Sequence, residues 1–321
     1  MPQAGERPTE VGVLVSDQER LLSLRANKKK PRLPYLTDRG RLNHGPTPPG
    51  ASIPCERESE LTQEEVREVI QLIADSRRNR TTVVMPERLR TRSWKSVDEV
   101  MLNLEIALGW KPAGWKVGAA SMAVRIAENL PNPSPGRLFE RSIFQSPATI
   151  SPEFFINYRV CESEFAFQLC KDFEVRTAPY AEEEVRDGID SLIPALEIGD
   201  SVFEDWYALP GYLGAMYDNA GGAAFVMGKP IKDWQGIDLP NSNIDIYVNG
   251  SYIKSGTGIE AMGDPVTSLT WMINYAVAHG RAVKSGEIIS TGTCTGHTFV
   301  APGDLVSLDF GALGLVEAKF S

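Results

Sequence analysis

The sequence predicts an α+β protein, with a helical N-terminal portion ahead of a β-rich body. Three observations point there. Capping-box patterns followed by apolar residues at helical spacing occur before residue 113. From Gly114 onward the texture changes to short strand-like stretches and turns, including the hairpin signal Asn249-Gly250. No self-similar period of roughly 20–50 residues runs through the chain, which excludes a solenoid.

Residues 1–57 read as a Pro-rich basic arm. They hold ten Lys/Arg against six Asp/Glu, a net of +4, which leaves −13 on residues 58–321 out of the total of −9. They also hold eight of the 22 prolines, beside the basic run Lys28-Lys29-Lys30-Pro31-Arg32. Proline restricts the backbone and removes a donor, so a poorly ordered, extended arm is expected. Val11-Gly12-Val13-Leu14-Val15 is an apolar segment within it.

Order is expected from residue 58. Thr62-Gln63-Glu64-Glu65 opens a helix that carries Val66, Val69, Ile70 and Ile73 on one face. Ser96-Val97-Asp98-Glu99 opens a second, with Val100, Leu104 and Leu108. The chain thus divides into an arm at 1–57 and a catalytic domain at 58–321. The domain has a helical portion at 58–113 and a β-rich body at 114–321.

In the body, Gly114-Trp115-Lys116-Val117-Gly118 reads as a strand between glycines, and Glu164 to Leu169 alternates with Phe165 and Phe167 on one face. Residues 181–193 read as a helix (Val185, Ile189, Leu192) stopped by Pro194, followed by a strand at Ala195-Leu196-Glu197-Ile198. Residues 243–255 form a hairpin about Asn249-Gly250. Asp264-Pro265 supplies an N-cap and an N1 proline for a helix through His279, ended by Gly280. Ile288-Ile289-Ser290 and the segments 305–310 and 315–320 complete the strands.

Composition narrows the function. Hydrophobic residues make up 42 % of the 321, so a core can form. There is no uninterrupted apolar run of roughly 18 residues, so no membrane span is expected, and no secretory h-region is read at the N-terminus. A net charge of −9 argues against nucleic acid as the partner. Cys55, Cys161, Cys170 and Cys294 show no CxxC pair and no zinc-like spacing, so reduced thiols in a cytoplasmic protein are expected. There is no GxSxG elbow and no GxGxxG run. His44, His279 and His297 are too scattered for a histidine metal cage, and His279 reads as a helix C-terminal cap.

Four features can carry chemistry. In a strand, residues i and i+2 share a face, so Glu162 and Glu164 of Cys161-Glu162-Ser163-Glu164 present paired carboxylates. Buried together they need a cation, and all-oxygen ligation suits Mg²⁺, Mn²⁺ or Ca²⁺; on a solvated strand edge they need none. Glu197, among apolar neighbours, completes a triad if the fold brings it near. Lys116 in an apolar strand is either a proton-transfer group or a lysine that reaches water. Ser290-Thr291-Gly292-Thr293-Cys294-Thr295-Gly296 is either an anion-holding loop or a tight turn after a strand.

Taken in order, Gly114-Trp115-Lys116-Val117-Gly118, Glu162-Ser163-Glu164-Phe165-Ala166-Phe167, Pro194-Ala195-Leu196-Glu197-Ile198, Asp218-Asn219-Ala220, Ser255-Gly256-Thr257-Gly258, Met262-Gly263-Asp264-Pro265, Thr291-Gly292-Thr293 and Pro302-Gly303-Asp304 resemble one group. This is the 2-keto-4-pentenoate hydratase / 4-oxalocrotonate decarboxylase branch of the fumarylacetoacetase-like superfamily, and the resemblance covers roughly residues 60–320. It implies the fumarylacetoacetase C-terminal-domain-like mixed β-sheet roll, with Glu162, Glu164 and Glu197 as ligands of Mg²⁺ or Mn²⁺. It implies Lys116 as the proton-transfer group and Thr291-Gly292-Thr293 as a substrate-lining loop. The activity implied is addition of water to 2-hydroxypenta-2,4-dienoate or a related 2-oxo acid through a metal-stabilised enolate. Decarboxylation, acylpyruvate-type carbon–carbon hydrolysis, or service as a catalytically altered partner subunit are its alternatives. The partners implied are a small 2-oxo acid and further copies of the chain or a related enzyme.

The sequence departs from that pattern at three places. Pro133-Ser134-Pro135-Gly136 lacks an acid, Asp218-Asn219-Ala220-Gly221 lacks a hydroxyl, and Asp200-Ser201-Val202 lacks an arginine. Arg137 and Arg141, just beyond the first of these, are then the expected binders of a substrate carboxylate. The hydrolase branch needs a His–Glu pair near a lid. No histidine lies between Arg57 and Lys116.

Overall fold

A computed structural model of the chain describes residues 59–321 except 92, 128–129 and 205–215. The arm at 1–57, with His44, Cys55 and the Val11–Val15 segment, lies outside the described residues.

Helix α1 (Gln63–Asn79) starts on the expected capping box: the Thr62 hydroxyl accepts from the Glu65 amide, and the Thr62 amide donates to the Glu65 carboxylate at 2.8 Å. It ends with Arg80 in the left-handed region. Helix α2 (Trp94–Leu108) starts earlier than expected. Its N-cap is Ser93, and Ser96 lies inside the helix, where its hydroxyl accepts from the Leu61 amide at 2.8 Å. The apparent second capping box is therefore a tertiary contact. The two helices close over Val66, Val69, Ile73, Val97, Val100 and Leu104.

The body opens with β1 (Pro112–Gly118), a short helix α3 (Met122–Ala127), β2 (Ser134–Phe139), β3 (Ile143–Gln145) and β4 (Ala148–Ile150). It continues with β5 (Val160–Leu169), a one-turn helix α4 (Glu182–Arg186), β6 (Ile189–Gly199) and β7 (Gly222–Met227). The hairpin β8 (Asn243–Val248) and β9 (Ser251–Thr257) precedes helix α5 (Pro265–Ala278). Last come β10 (Ile288–Thr293), β11 (Thr298–Phe299), β12 (Leu305–Asp309) and β13 (Leu315–Phe320).

Among the described residues these strands form two mixed sheets. One runs β2-β1-β10-β5-β6-β7-β3, with β11 also on β5, and the other runs β4-β13-β12-β8-β9. The pair β1/β10 is parallel and β10/β5/β6/β7 is antiparallel. Helix α5 and the facing sides of both sheets share one core, which includes Phe165, Phe167, Trp234, Ile246, Leu269 and Leu308. The Asn249-Gly250 turn has both φ values positive (51° and 75°), as a two-residue hairpin requires. Asp264 caps α5 by accepting from the Val266 amide at 2.7 Å. The His279 Nδ1 sits 2.8 Å from the Tyr275 carbonyl, so the expected C-terminal cap is in place.

The helix expected over 181–193 is a correction. Only Glu182–Arg186 is helical, and Ile189 already belongs to β6, where Pro194 is an interior strand residue. The Pro194 carbonyl accepts from the Gly228 amide at 2.8 Å, just past the end of β7. A strand residue's N–H points the same way as its C=O, so the donor that proline lacks falls where the β7 ladder has ended. Ser290-Thr291-Gly292-Thr293 is a second correction: these residues continue β10 through a bulge rather than forming a turn after it.

One buried ion pair joins the helical portion to the body. Arg77 Nε lies 2.7 Å from Asp218 Oδ1, and Asp218 Oδ2 accepts from the Val202 amide at 2.7 Å. Asp218 is fully buried and stands directly before the 3₁₀ turn Asn219–Gly221. Removing one partner strands the other charge in a dry site. Arg77→Met is expected to lower unfolding stability by about 3–5 kcal/mol, measured by urea denaturation. A loss under about 1 kcal/mol, the range of an exposed pair, would contradict this account.

Candidate active site

Strand pairing assembles the acidic cluster. Glu162 and Glu164 project from the same face of β5, and Glu197 on β6 stands directly across from Glu162. An i, i+2 pair plus its cross-strand neighbour is the tightest grouping of three side chains that two antiparallel strands offer. One carboxylate oxygen of each residue lies within 4.8 Å of the others. Glu164 and Glu197 are buried, and Glu162 is mostly so.

Lys116 reaches the cluster from β1. Its Nζ lies 2.7 Å from Glu197 Oε1 and donates to the Ala220 carbonyl at 2.8 Å. Its side chain is 3 % exposed, so it is an interior ammonium and not a lysine that reaches water. Two glycines leave it room. A Cβ on Gly136, its partner across β1/β2, would stand 2.7 Å from Lys116 Cγ, and one on Gly222 would stand 3.1 Å from Cδ. Asn219 closes the roll at this point, bonding both backbone groups of Arg137 on β2 (2.7 and 3.0 Å). The Lys116 acceptor Ala220 is the next residue.

The β10 bulge serves the same cluster. With Gly292 at φ 101°, Ser290 Oγ and the Gly292 amide both donate to Glu164 Oε2, the latter at 3.0 Å. Thr293 lines the recess. Thr291 does not: it is buried, with its hydroxyl on the Phe165 carbonyl and its own carbonyl held by Ser268. The expected Thr291-Gly292-Thr293 segment therefore divides into a core residue, a donor to Glu164 and a wall residue.

Two further placements correct the sequence reading. Arg137 is not brought to the cluster. It stands opposite Trp115 on the other face of β1, with its guanidinium 3.8 Å from the indole and Nε 2.7 Å from Glu105 Oε2. Arg141 stacks on Trp110 at 4.5 Å. The period-2 alternation that turns Lys116 inward turns Arg137 outward. His297, dismissed as scattered, lines the recess with Nε2 3.2 Å from Glu162 Oε1. Sequence reasoning missed it because a lone histidine after a glycine carries no pattern. The available signal was its position four residues past the Thr291-Gly292-Thr293 segment.

The electrostatics are those of a crowded acid site. Burial, then Glu197 and Glu162, hold Glu164 well above the usual carboxylate range. Burial raises Glu197 too, and Lys116 only partly offsets it. Burial also pushes Glu162 up, but His297, Lys116 and Thr293 outweigh that and hold it below the usual range. Lys116 is pushed down by burial and carried above its ordinary value by Glu197, Glu162 and Glu164. Three carboxylates against one interior ammonium leave an excess of negative charge in an all-oxygen donor set. That set fits a hard divalent cation held by Glu162, Glu164 and Glu197. The recess is lined by Lys116, Glu162, Glu164, Glu197, Thr293 and His297.

Among the described residues no helix is long and apolar enough to cross a membrane. Cys161 and Cys294 are buried free thiols, and Cys170 is an exposed one.

The family description "Fumarylacetoacetate (FAA) hydrolase C-terminal" matches residues 141–321. A 2-keto-4-pentenoate hydratase of Paraburkholderia xenovorans (strain LB400) is 26 % identical over 225 residues, covering 70 % of this chain and 82 % of the relative. A 2-hydroxyhexa-2,4-dienoate hydratase of Comamonas testosteroni is 29 % identical over 223 residues, covering 69 % and 83 %. The fold is that of the 4-oxalocrotonate decarboxylase from Pseudomonas putida G7, a structure complexed with magnesium and adipate. The two superpose with a TM-score of 0.73 at 23 % identity, over 81 % of this chain and 99 % of the other.

Cation binding tests the cluster directly. The protein is expected to bind Mg²⁺ by calorimetry, and Glu164→Gln is expected to weaken that binding by at least about tenfold. Unchanged affinity would put the cation elsewhere.

Proposed function

This chain belongs to the fumarylacetoacetate (FAA) hydrolase C-terminal family, and from that membership we propose a divalent-metal-dependent hydratase of 2-oxo and 2-hydroxydienoic acids. It is a carbon–oxygen lyase that adds water to substrates such as 2-hydroxypenta-2,4-dienoate. One observation carries the reading: Glu162, Glu164 and Glu197 converge within 4.8 Å beside an interior lysine. The hydratase names of the relatives support the reaction class.

Glu162, Glu164 and Glu197 would hold Mg²⁺ or Mn²⁺. The bound ion supplies positive charge against the negative charge that develops when a proton leaves the carbon beside a 2-oxo group. The chain's own groups do the rest. Lys116 carries a proton on Nζ, held between Glu197 and the Ala220 carbonyl, and delivers it to or receives it from the substrate carbon. Its contact with Glu197 gives the proton a second seat 2.7 Å away. The Gly292 amide and Ser290 hydroxyl fix the rotation of Glu164, and His297 does the same for Glu162. The closed roll around Lys116 keeps bulk water from the proton in transit.

The His297–Glu162 contact favours a second reading. It is a His–Glu pair of the kind that activates water in acylpyruvate-type hydrolysis, supplied from the far end of the chain. A panel of 2-oxo and 2-hydroxydienoic acids with Mg²⁺ or Mn²⁺, scored separately for water addition, CO₂ release and carbon–carbon cleavage, separates the two. Water addition is expected, and cleavage without it would move the assignment to the hydrolase. Lys116→Met is expected to lower kcat/KM by at least about 10²-fold while the protein still binds Mg²⁺. Retained turnover would remove Lys116 from the proton path.

A further inference from the structure

Lys116 is held by two groups of different kind. One is Glu197, 2.7 Å from Nζ, which in the reading above also holds the cation. The other is a backbone atom, the Ala220 carbonyl, which accepts from Nζ at 2.8 Å and does not depend on the cation. An ammonium has three donors, so these two anchors leave one for the substrate. A lysine stem is flexible. The direction of that last donor is therefore set by where the Ala220 carbonyl stands.

The backbone there is strained. Asn219, Ala220 and Gly221 have φ of 56°, 47° and 75°, a left-handed run in which two residues carry a Cβ. Such backbone is costly and persists only where its surroundings over-determine it. Here they do. The Asn219 side chain accepts from the Arg137 amide at 2.7 Å and donates to the Arg137 carbonyl at 3.0 Å, so it clasps β2. The Gly221 amide donates to the Asp218 carbonyl, the Gly222 amide to the Asn219 carbonyl and the Asp200 amide to the Gly221 carbonyl. The Ala220 carbonyl is given to the lysine instead. The turn also crowds the lysine stem: a Cβ on Gly136 would stand 2.7 Å from Lys116 Cγ and 3.0 Å from the Asn219 carbonyl oxygen. We propose that Asn219 is a positioning residue for the proton transfer: by clasping β2 it locks the left-handed turn, and the locked turn aims the Lys116 ammonium through the Ala220 carbonyl. The proposal rests on the hydratase reading above, in which Lys116 moves the proton.

The test uses the full chain with Mg²⁺ as wild type, Asn219→Gly and Lys116→Met. Glycine accepts left-handed backbone, so Asn219→Gly removes the clasp alone. It is expected to lower kcat on 2-hydroxypenta-2,4-dienoate by between about tenfold and 10²-fold, the cost of misplacing a reacting group by up to ~1 Å. KM and calorimetric Mg²⁺ affinity are expected to stay as in wild type. In protein carrying ¹⁵N-lysine, the Lys116 ammonium is the NMR signal absent from Lys116→Met. It is expected to exchange its protons slowly in wild type and fast in Asn219→Gly. A kcat that holds, a fall in kcat shared by Mg²⁺ affinity, or an ammonium signal that is the same in both proteins would each make Asn219 a structural tie and overturn the proposal. Should Asn219→Gly not fold, Asn219→Asp, which keeps the acceptor for the Arg137 amide and loses the donor, takes its place with the same outcomes. If wild type does not turn over the dienoate, the hydratase reading fails and the ammonium signal decides alone: slow exchange lost with the clasp supports the positioning role, and an unchanged signal refutes it.

Discussion

Three carboxylates brought together away from water are the constraint on which the rest of this structure depends. Each is costly to bury, and each makes its neighbours harder to ionise. Among the described residues Lys116 stands against Glu197 at 2.7 Å and His297 against Glu162 at 3.2 Å. The surrounding architecture keeps the lysine contact short. Gly136 and Gly222 leave space for the lysine stem, Asn219 closes β2 against the turn that supplies the Ala220 acceptor, and the β10 bulge aims two donors at Glu164. What the lysine cannot neutralise is the opening for a divalent cation.

Strand β1 shows how one element serves two tasks. Its inner face carries Lys116 to the cluster. Its outer face carries Trp115 under Arg137, and Arg137 meets Glu105 of α2, which Arg281 also contacts at 2.8 Å. The helical portion therefore braces the back of the strand whose front holds the reactive amine. Asp200 works similarly at the start of β5. Its carboxylate accepts from the amides of Ile156, Asn157 and Tyr158 and fixes the chain just before the Glu162-Ser163-Glu164 segment. Both arrangements spend charged groups on positioning, which is why Arg137 is not at hand for a substrate.

Much of the fold was legible because its signals are local. The Thr62–Glu65 box, the Asn249-Gly250 turn and the Asp264-Pro265 cap involve residues within a few positions of each other, and their chemistry acts at that range. The failures were places where a distant partner overruled the local pattern. Ser96 resembled a cap and instead accepts from Leu61. Residues 189–193 fit a helical period, but β5 on one side and a bridge from Leu192 to Ile231 on the other recruit them into a sheet, and Pro194 survives there because its missing donor faces past the end of β7. The same holds within the site. Glu162 and Glu164 follow from period two, whereas His297 meets the cluster only through the loop after β10.

By itself the sequence determined which groups can do chemistry. It placed two glutamates on one face of a strand, set a third among apolar neighbours and put a lysine in an apolar strand, because alternation and hydrophobicity are written residue by residue. Only the tertiary structure decided that these four meet, that Arg137 faces away and that His297 lines the recess. Register sets these outcomes. A shift of one residue in β5/β6 or β1/β2 would reverse every side chain concerned, and register is settled by the packing of all the strands at once.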